Sequence, residues 1–274
     1  TALRERVGEL ETAVESIEEC WTRPEPPEHE VSVVSRFRTL LNRAETFVGQ
    51  AGHRVQLSVT PEQYRSLYSA LVGARERGVQ VNVSLHSCSR EAADELPLVD
   101  ATTEVRWRER EAPFLAIVDN QRVCYAEHVG TRREYGVVVN DRTHASVFIW
   151  YHLSSHWELW EPIRETRGED LPRTYLDVRR AAHELVPALR EGDAPVVHVD
   201  GRDVETGRSR SFDGLISDIA YEGESGDDGP RSLQSLAGQT SLVVETDDGV
   251  VTVGGFGAVI EDVEADRVVV EAFD

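Results

Sequence analysis

Residues Glu111–Val123 read EAPFLAIVDNQRV, and the fold turns on that stretch. Phe114, Leu115, Ala116, Ile117 and Val118 form an unbroken apolar run that ends at Asp119-Asn120. Such a run, closed by two residues that tolerate a left-handed backbone, reads as a buried strand entering a tight turn. Arg122–Tyr125 can then return as its hairpin partner.

Working back toward the N-terminus, Thr103–Arg108 reads as another strand, and Val79–Leu85 as a third. Between Val55–Val59, whose Val55, Leu57 and Val59 alternate, and Val79 lies a helix with clear punctuation. Thr60 can cap it, Pro61 has the fixed φ of a first turn, Glu62 suits the positive helix end, and Gly78 stops it. Tyr64, Leu67, Leu71 and Ala74 give this helix one apolar face. That is a βαβ unit. Val34, Phe37, Leu40, Leu41, Ala44 and Val48 predict a helix before it. Toward the C-terminus, Tyr135–Val139 predicts a strand and His144–Leu159 an aromatic helix. One α/β domain is therefore expected over residues 31–165.

A connecting helix is expected within residues 166–192, at Tyr175–Leu189, ending near Gly192. Residues 193–274 change in texture. Val196–Val199, Leu215–Ile219, Leu242–Glu245, Val250–Val253, Ala258–Ile260 and Val268–Val270 are short strand candidates separated by Gly and Asp turns, the pattern of a small all-β barrel or sandwich. GESGDDGPRS, Gly223–Ser232, reads as a mobile hairpin tip. At the other end, Leu3, Val7, Leu10, Val14, Ile17 and Trp21 alternate at spacings of four and three, an a/d seam that predicts a coiled-coil dimerisation helix over residues 1–24. An amphipathic helix docked on its own domain fits the same spacing. RPEPPEHE, Arg23–Glu30, is expected to act as a stiff linker.

The chain has 274 residues and a formal charge of −21, from 50 Asp plus Glu against 29 basic residues, every one an Arg. Such acidity strains a compact fold in dilute buffer, whereas molar salt shortens the Debye length to about 3 Å. The composition suggests the cytosol of an extreme halophile. A GC-rich genome would explain the missing lysine but not the carboxylates. An anionic surface repels phosphate backbones, so this segment is a poor candidate to grip nucleic acid itself. Cys20, Cys88 and Cys124 are too dispersed for a disulfide framework or a thiolate zinc site. No apolar stretch is long enough to span a membrane, and the opening residues lack the pattern of a signal peptide, so a cytoplasmic protein with no membrane partner is expected.

The strand APFLAIVDNQ, its return RVCYAEH, the strand EYGVVVND at Glu134–Asp141 and a helix ending FIWYHLSSHWELW together resemble the phospholipase D-like fold. Active members of that family carry a His, a Lys two residues on and an Asp five beyond it. With the Asp placed on Asp119, Ala112 stands at the His position and Phe114 at the Lys position. Neither side chain can act as a nucleophile or stabilise a phosphorane-like charge. His53 opens a strand beside Arg54 with no carboxylate at the required offset. His128, His144, His152 and His156 match no metal-ligand spacing, and Ser155 stands where a zinc peptidase helix would carry Glu. His152 and His156 read as a packed helical face beside Trp157 and Trp160, and Asp119 as a turn residue. No catalytic residue, metal or cofactor is expected.

The order of coiled-coil helix, degenerate phospholipase D-like domain and small β-domain resembles the TrmB family of archaeal sugar-responsive transcription regulators. VVTVGGFGAVIEDVEADRVVV, Val250–Val270, and VHVDGRDVETGRSRSFDGLISDI, Val197–Ile219, carry that resemblance. It implies a homodimer that senses a sugar and reads DNA only through an N-terminal winged helix-turn-helix domain, which nothing in this sequence matches. It also implies sugar contacts at Gly254, Gly255 and Glu261, with Phe256 or Trp160 covering an apolar sugar face. A carboxylate can accept from two neighbouring hydroxyls, and a glycine lets the backbone approach. Read without the resemblance, Gly254-Gly255 is equally a bulge or turn, and Glu261-Asp262 a solvated strand end. A divergent phosphodiesterase and a structural dimer module without ligand are the competing functions.

Overall fold

The structure is a computed structural model that describes residues 30–127, 135–157, 159–165, 171–221 and 239–274. The expected coiled coil, the linker up to His29, His128 and the hairpin tip at Gly223–Ser232 lie outside the described residues.

The first half is an eight-stranded mixed sheet. Strands β1 (Glu30–Val34), β2 (Arg54–Val59), β3 (Gln80–His86), β4 (Glu104–Arg108), β5 (Phe114–Val118), β6 (Arg122–Ala126), β7 (Gly136–Asn140) and β8 (Glu161–Glu165) lie in the order β1-β7-β6-β5-β2-β3-β4-β8. β2, β3 and β4 run parallel, and β5 turns back antiparallel against β2. One sheet face carries Val55, Leu57, Val59, Val81, Val83, Leu85 and Val105 beneath helices α1 (Phe37–Gly49) and α2 (Pro61–Glu76), while the short α3 (Arg90–Asp94) follows β3. Each fully buried aliphatic side chain there contributes about 1.5–3 kcal/mol. α2 begins as its sequence requires: Thr60 Oγ1 accepts from the Gln63 backbone N–H at 3.3 Å and Gln63 Oε1 from the Thr60 N–H at 2.9 Å, a reciprocal capping box.

The opposite face is covered by α4 (Arg142–His152), which runs directly into a π-helical turn at Leu153–Trp157. Leu115, Ile117, Val123 and Val139 pack there against Ala145, Ile149, Leu153 and Trp157. Asp141 caps α4 by accepting from the His144 N–H at 2.7 Å.

Asp119 and Asn120 both have positive φ, +50° and +56°, as the β5–β6 turn requires. Asp119 does more than turn the chain. Its Oδ1 accepts from the N–H groups of His53 and Arg54, and its Oδ2 from Gly52, each at 2.9 Å. The carboxylate thus clamps the start of β2 to the end of β5.

The second half is a barrel. β10 (Pro195–Asp203), β11 (Ser209–Tyr221), β12 (Thr240–Thr246), β13 (Gly249–Gly254) and β14 (Val263–Phe273) neighbour in that order, and β10 pairs with β14 to close the ring. β9 (Arg173–Tyr175) adds to the outer edge of β14. Helix α5 (Val178–Glu191) plugs the barrel with Val178, Ala181, Ala182 and Leu185, against Val197, Val199, Ile216, Leu242 and Val244. Asp177 caps it, accepting from Arg179 N–H at 2.8 Å, and Gly192 ends it at φ +96°.

Three local expectations change. Val34 ends a strand instead of starting a helix, because Glu30–Val34 alternates and finds β7 as its antiparallel partner. Tyr175 and Leu176 precede α5, since residues 173–175 pair with Val268–Val270. Ala258–Ile260 is no strand. It lies in the loop that joins β13 to the parallel start of β14, where Gly257 adopts φ +82° and leaves Val259 and Ile260 exposed.

The two halves meet through specific side chains. Arg142 of α4 is ion-paired with Asp266 of β14, donates to the Ala265 carbonyl at 3.2 Å and lies 4.7 Å over the Phe256 ring. Asn120 Nδ2 donates to the Leu176 carbonyl at 2.9 Å, and Arg180 of α5 reaches Glu104 of β4 at 3.5 Å. Guanidinium groups rest on rings elsewhere too: Arg106 and Arg180 on Trp157 at 4.9 and 5.4 Å, and Arg43 and Arg122 on Phe47 at 5.3 and 5.6 Å.

Candidate functional site

The loop between β13 and β14 folds over the end of β12. Ser241 of β12 pairs with Gly254 of β13, and Glu261 is turned in beneath them, with 8% of its surface exposed. Its Oε1 accepts from the Ser241 hydroxyl at 2.7 Å and from Gln239 Nε2 at 3.3 Å, while its Oε2 accepts from the Ile260 N–H at 3.4 Å. Burial pushes this carboxyl toward the neutral form. The Ser241 hydroxyl, its own N–H, Gln239 and Ile260 outweigh that and hold its pKa below the ordinary value. It is therefore an ionised carboxylate set into a corner rather than a solvated strand end.

Gly254 makes the corner possible. A Cβ there would lie 2.6 Å from the Ala258 Cβ, 2.7 Å from Glu261 Cδ and 2.9 Å from its Oε2. Gly255 differs: a Cβ would meet the Val178 Cβ at an ordinary 3.6 Å, so this loop lies against the first turn of α5. Phe256 is 40% exposed, with the Arg142 guanidinium on its ring. Asp262 is pinned by the Thr252 N–H at 2.8 Å and the Thr252 hydroxyl at 2.7 Å. The structure brings Gly254, Gly255, Phe256 and Glu261 into one corner. It does not bring Trp160 there. That ring is 3% exposed, with His86 at its edge and His156 against it, and its N–H donates to the Ser155 carbonyl at 3.1 Å. No face of it is open to a ligand.

A second polar region was hidden by the alternation of the strands. Arg54, Gln56 and Ser58 of β2 lie beside Asn82, Ser84 and His86 of β3, all buried on the face opposite the valine and leucine core. His152 sits over this row, 3.4 Å from Gln56 Nε2 through Nδ1 and 3.4 Å from the Ser84 hydroxyl through Nε2. His156 stacks on His152 at 5.8 Å, and among the described residues neither of its ring nitrogens has a hydrogen-bond partner. Burial, with the Arg108 charge adding to it, lowers the pKa of His156 to about 4, although the nearby Tyr151 carbonyl favours its protonated form. Burial, with His156 close by, also lowers His86 to about 4, and His152 lies well below its usual value. The three rings are neutral at pH 7. The sequence signal for this row was the polar residue at every second position, which by itself reads as a solvated face.

At the positions given by the resemblance to the phospholipase D-like fold, Phe114 is a core residue packed edge-to-face on Phe37 at 5.0 Å. Ala112 is half-buried. Among the described residues no three His, Cys, Asp or Glu side chains are grouped to hold a metal ion. Among them, too, no helix is long and apolar enough to cross a membrane.

Residues 30–164 match the family model for the N-terminal subdomain of the effector-binding domain of the transcriptional regulator TrmB. Residues 170–273 match the model for the C-terminal subdomain of that domain in TrmB/TrmBL1. No curated protein matches the chain. Among solved structures, TrmBL2, described as an archaeal chromatin protein with a novel mode of DNA binding, is 20% identical, covering 59% of this chain and 67% of its own with a TM-score of 0.44. Nuc, a phospholipase D family member from Salmonella typhimurium, is 20% identical over 50% of this chain and 99% of its own, TM-score 0.39. NucT from Helicobacter pylori is 14% identical over 49% and 99%, TM-score 0.39.

Proposed function

The chain belongs to the TrmB family of transcriptional regulators, and from that premise we propose that it is a non-catalytic effector-binding and dimerisation region whose ligand is a sugar held at Gly254, Gly255, Phe256 and Glu261. The observation that supports this reading is the buried, ionised Glu261 carboxylate lodged against Gly254, where any side chain would expel it. Sugar hydroxyls are donors that such an acceptor can take in pairs. Phe256 offers its exposed ring to an apolar sugar face, a part that Trp160 in its buried setting does not play.

Signalling would follow from differential affinity. The corner touches Val178 of α5 through Gly255 and Arg142 of α4 through Phe256. A guest that prefers one setting of Phe256 biases the placement of α4 against the barrel. The N-terminal helix would carry that bias to a partner subunit and to a DNA-reading domain, in a cytoplasmic homodimer.

Calorimetric titration with a panel of mono- and disaccharides tests the proposal, with Glu261→Gln beside the wild type. At least one sugar should bind and raise the melting temperature, and the variant should lose most of that response. Absence of heat with every sugar, or an unchanged response in Glu261→Gln, would refute it.

A further inference from the structure

Arg54 is 3% exposed and, among the described residues, has no ion pair and no hydrogen-bond partner for its Nε and Nη2. Those two nitrogens form the edge of the guanidinium that grips an oxyanion with two parallel bonds. Arg180, reaching the same layer from α5, is bound through Nε to Glu184 at 2.7 Å and through Nη2 to Glu104 at 3.5 Å, while its Nη1 has no partner. Asn82 adds an acceptor without a donor: its Nδ2 reaches Glu104 Oε2 at 3.4 Å, the oxygen that Arg180 also faces, and its Oδ1 is unpartnered. Burial, and then the charge of Arg180, lower Arg54 to about 9. The carboxylates of Glu184, Glu104 and Asp177 act against that shift without offsetting it, and none of them is within ion-pair distance of Arg54.

We infer that the layer between β2–β4 and α5 is a second ligand site, taking a hydrogen phosphate ion that accepts from the Arg54 edge and Arg180 Nη1 and donates its proton to Asn82 Oδ1. The chemistry selects this ion. Arg54, buried and without an ion pair among the described residues, calls for an anion, the side-on edge calls for two oxygens, and the orphan acceptor calls for an O–H that sulfate lacks at neutral pH. The near-complete burial of Arg54 and Asn82 favours the free ion over an ester with an organic tail. The site is separate from the Gly254–Glu261 corner, and it is also separate from the positions that resemble a phosphodiesterase centre. β2 pairs Val55 with Val118 and Ser58 with Leu115, so Arg54 lies at the Asp119 end of β5, and Ala112 lies beyond the other end. Because Arg54 and Asn82 belong to the sheet and Arg180 to the helix that plugs the barrel, the bound ion would cross-link the two halves.

The test is calorimetry of the whole chain with inorganic phosphate at fixed ionic strength, beside sulfate. One phosphate should bind per chain, with sulfate at least tenfold weaker. Arg54→Met should bind none, and its ligand-free form should melt higher than the wild type, because a buried guanidinium with Nε and Nη2 unbonded has been replaced by a thioether chain. Arg54→Lys keeps the charge without the paired donors and should bind phosphate at least tenfold more weakly. That comparison stands even where the Met variant fails to fold. The inference is overturned by absence of phosphate heat in the wild type, by equal affinity for sulfate, by unchanged phosphate binding in Arg54→Lys, or by an Arg54→Met that folds but melts, ligand-free, below the wild type.

Discussion

Gly254→Ala and Gly255→Ala are neighbouring substitutions of the same size with opposite expected consequences. At Gly254 the new methyl would meet Ala258 Cβ at 2.6 Å, Glu261 Cδ at 2.7 Å and Glu261 Oε2 at 2.9 Å. The barrel side of the contact is a β-ladder that pairs Gly254 with Ser241, so the loop gives way and takes Glu261 with it. Overpacking of this kind costs about 1–3 kcal/mol. Loss of the 2.7 Å bond from Ser241 to the carboxylate falls in the range of about 1.5–3 kcal/mol for bonds to charged groups. As the loop relaxes by giving up that bond, the two costs overlap, and a net loss of about 2–3 kcal/mol is expected. In a barrel of this size melting as its own unit, each kcal/mol lowers the melting temperature by about 4–8 °C. At Gly255 the nearest atom is 3.6 Å away and φ is not positive, so Ala should fall within about 0.5 kcal/mol of the wild type. Differential scanning calorimetry of both variants, with sugar titration on each, reads the outcome. Equal melting temperatures for the two, or a Gly254→Ala protein as stable as the wild type, would refute the account of the corner.

Asp119→Ala removes the acceptor for three backbone N–H groups at the start of β2 and should cost about 3 kcal/mol in chemical denaturation. Asp119→Asn, which tolerates the positive φ but keeps one acceptor oxygen, should recover part of that. The buried histidines make stability depend on pH in a defined window. With His86 and His156 lowered from 6.5 to about 4, the unfolded chain takes up protons first, so stability is full above pH 6.5 and is lost as pH falls toward 4. Each shift corresponds to at most about 3 kcal/mol. Urea midpoints between pH 7 and 4.5 should fall, and His156→Phe should flatten the slope; a wild-type midpoint that is constant across that range would contradict the burial of neutral rings.

Where local rules act alone, sequence and structure agree. Phe114–Val118 is the expected strand, and Thr60, Pro61 and Glu62 begin α2 as expected, with Gln63 completing the capping box. Disagreement arises where distant partners decide. Asp119 is the turn residue it reads as, but its clamp is hidden because its three amide partners lie 65 to 67 positions away. Tyr175 follows a helical rhythm, but its backbone pairs with Val268. Arg54, Gln56 and Ser58 alternate with Val55, Leu57 and Val59 in the manner of a half-exposed strand, and only the fold supplies the α4 and α5 cover that buries both faces. The Gly254 corner was legible as residue types through family resemblance. Its Ser241 and Gln239 partners were not, since nothing local to β12 marks them.

Arg106 and Arg180 lie over Trp157, and Arg43 and Arg122 over Phe47, with a delocalised, weakly hydrated cation that an ammonium group does not offer. Such contacts operate at van der Waals range, inside the reach of ionic shielding, whereas the mutual repulsion of 50 surface-rich acids acts over longer distances. Concentrated electrolyte therefore quenches what pushes this molecule apart and leaves intact the cation-over-ring contacts that tie its strands and helices together.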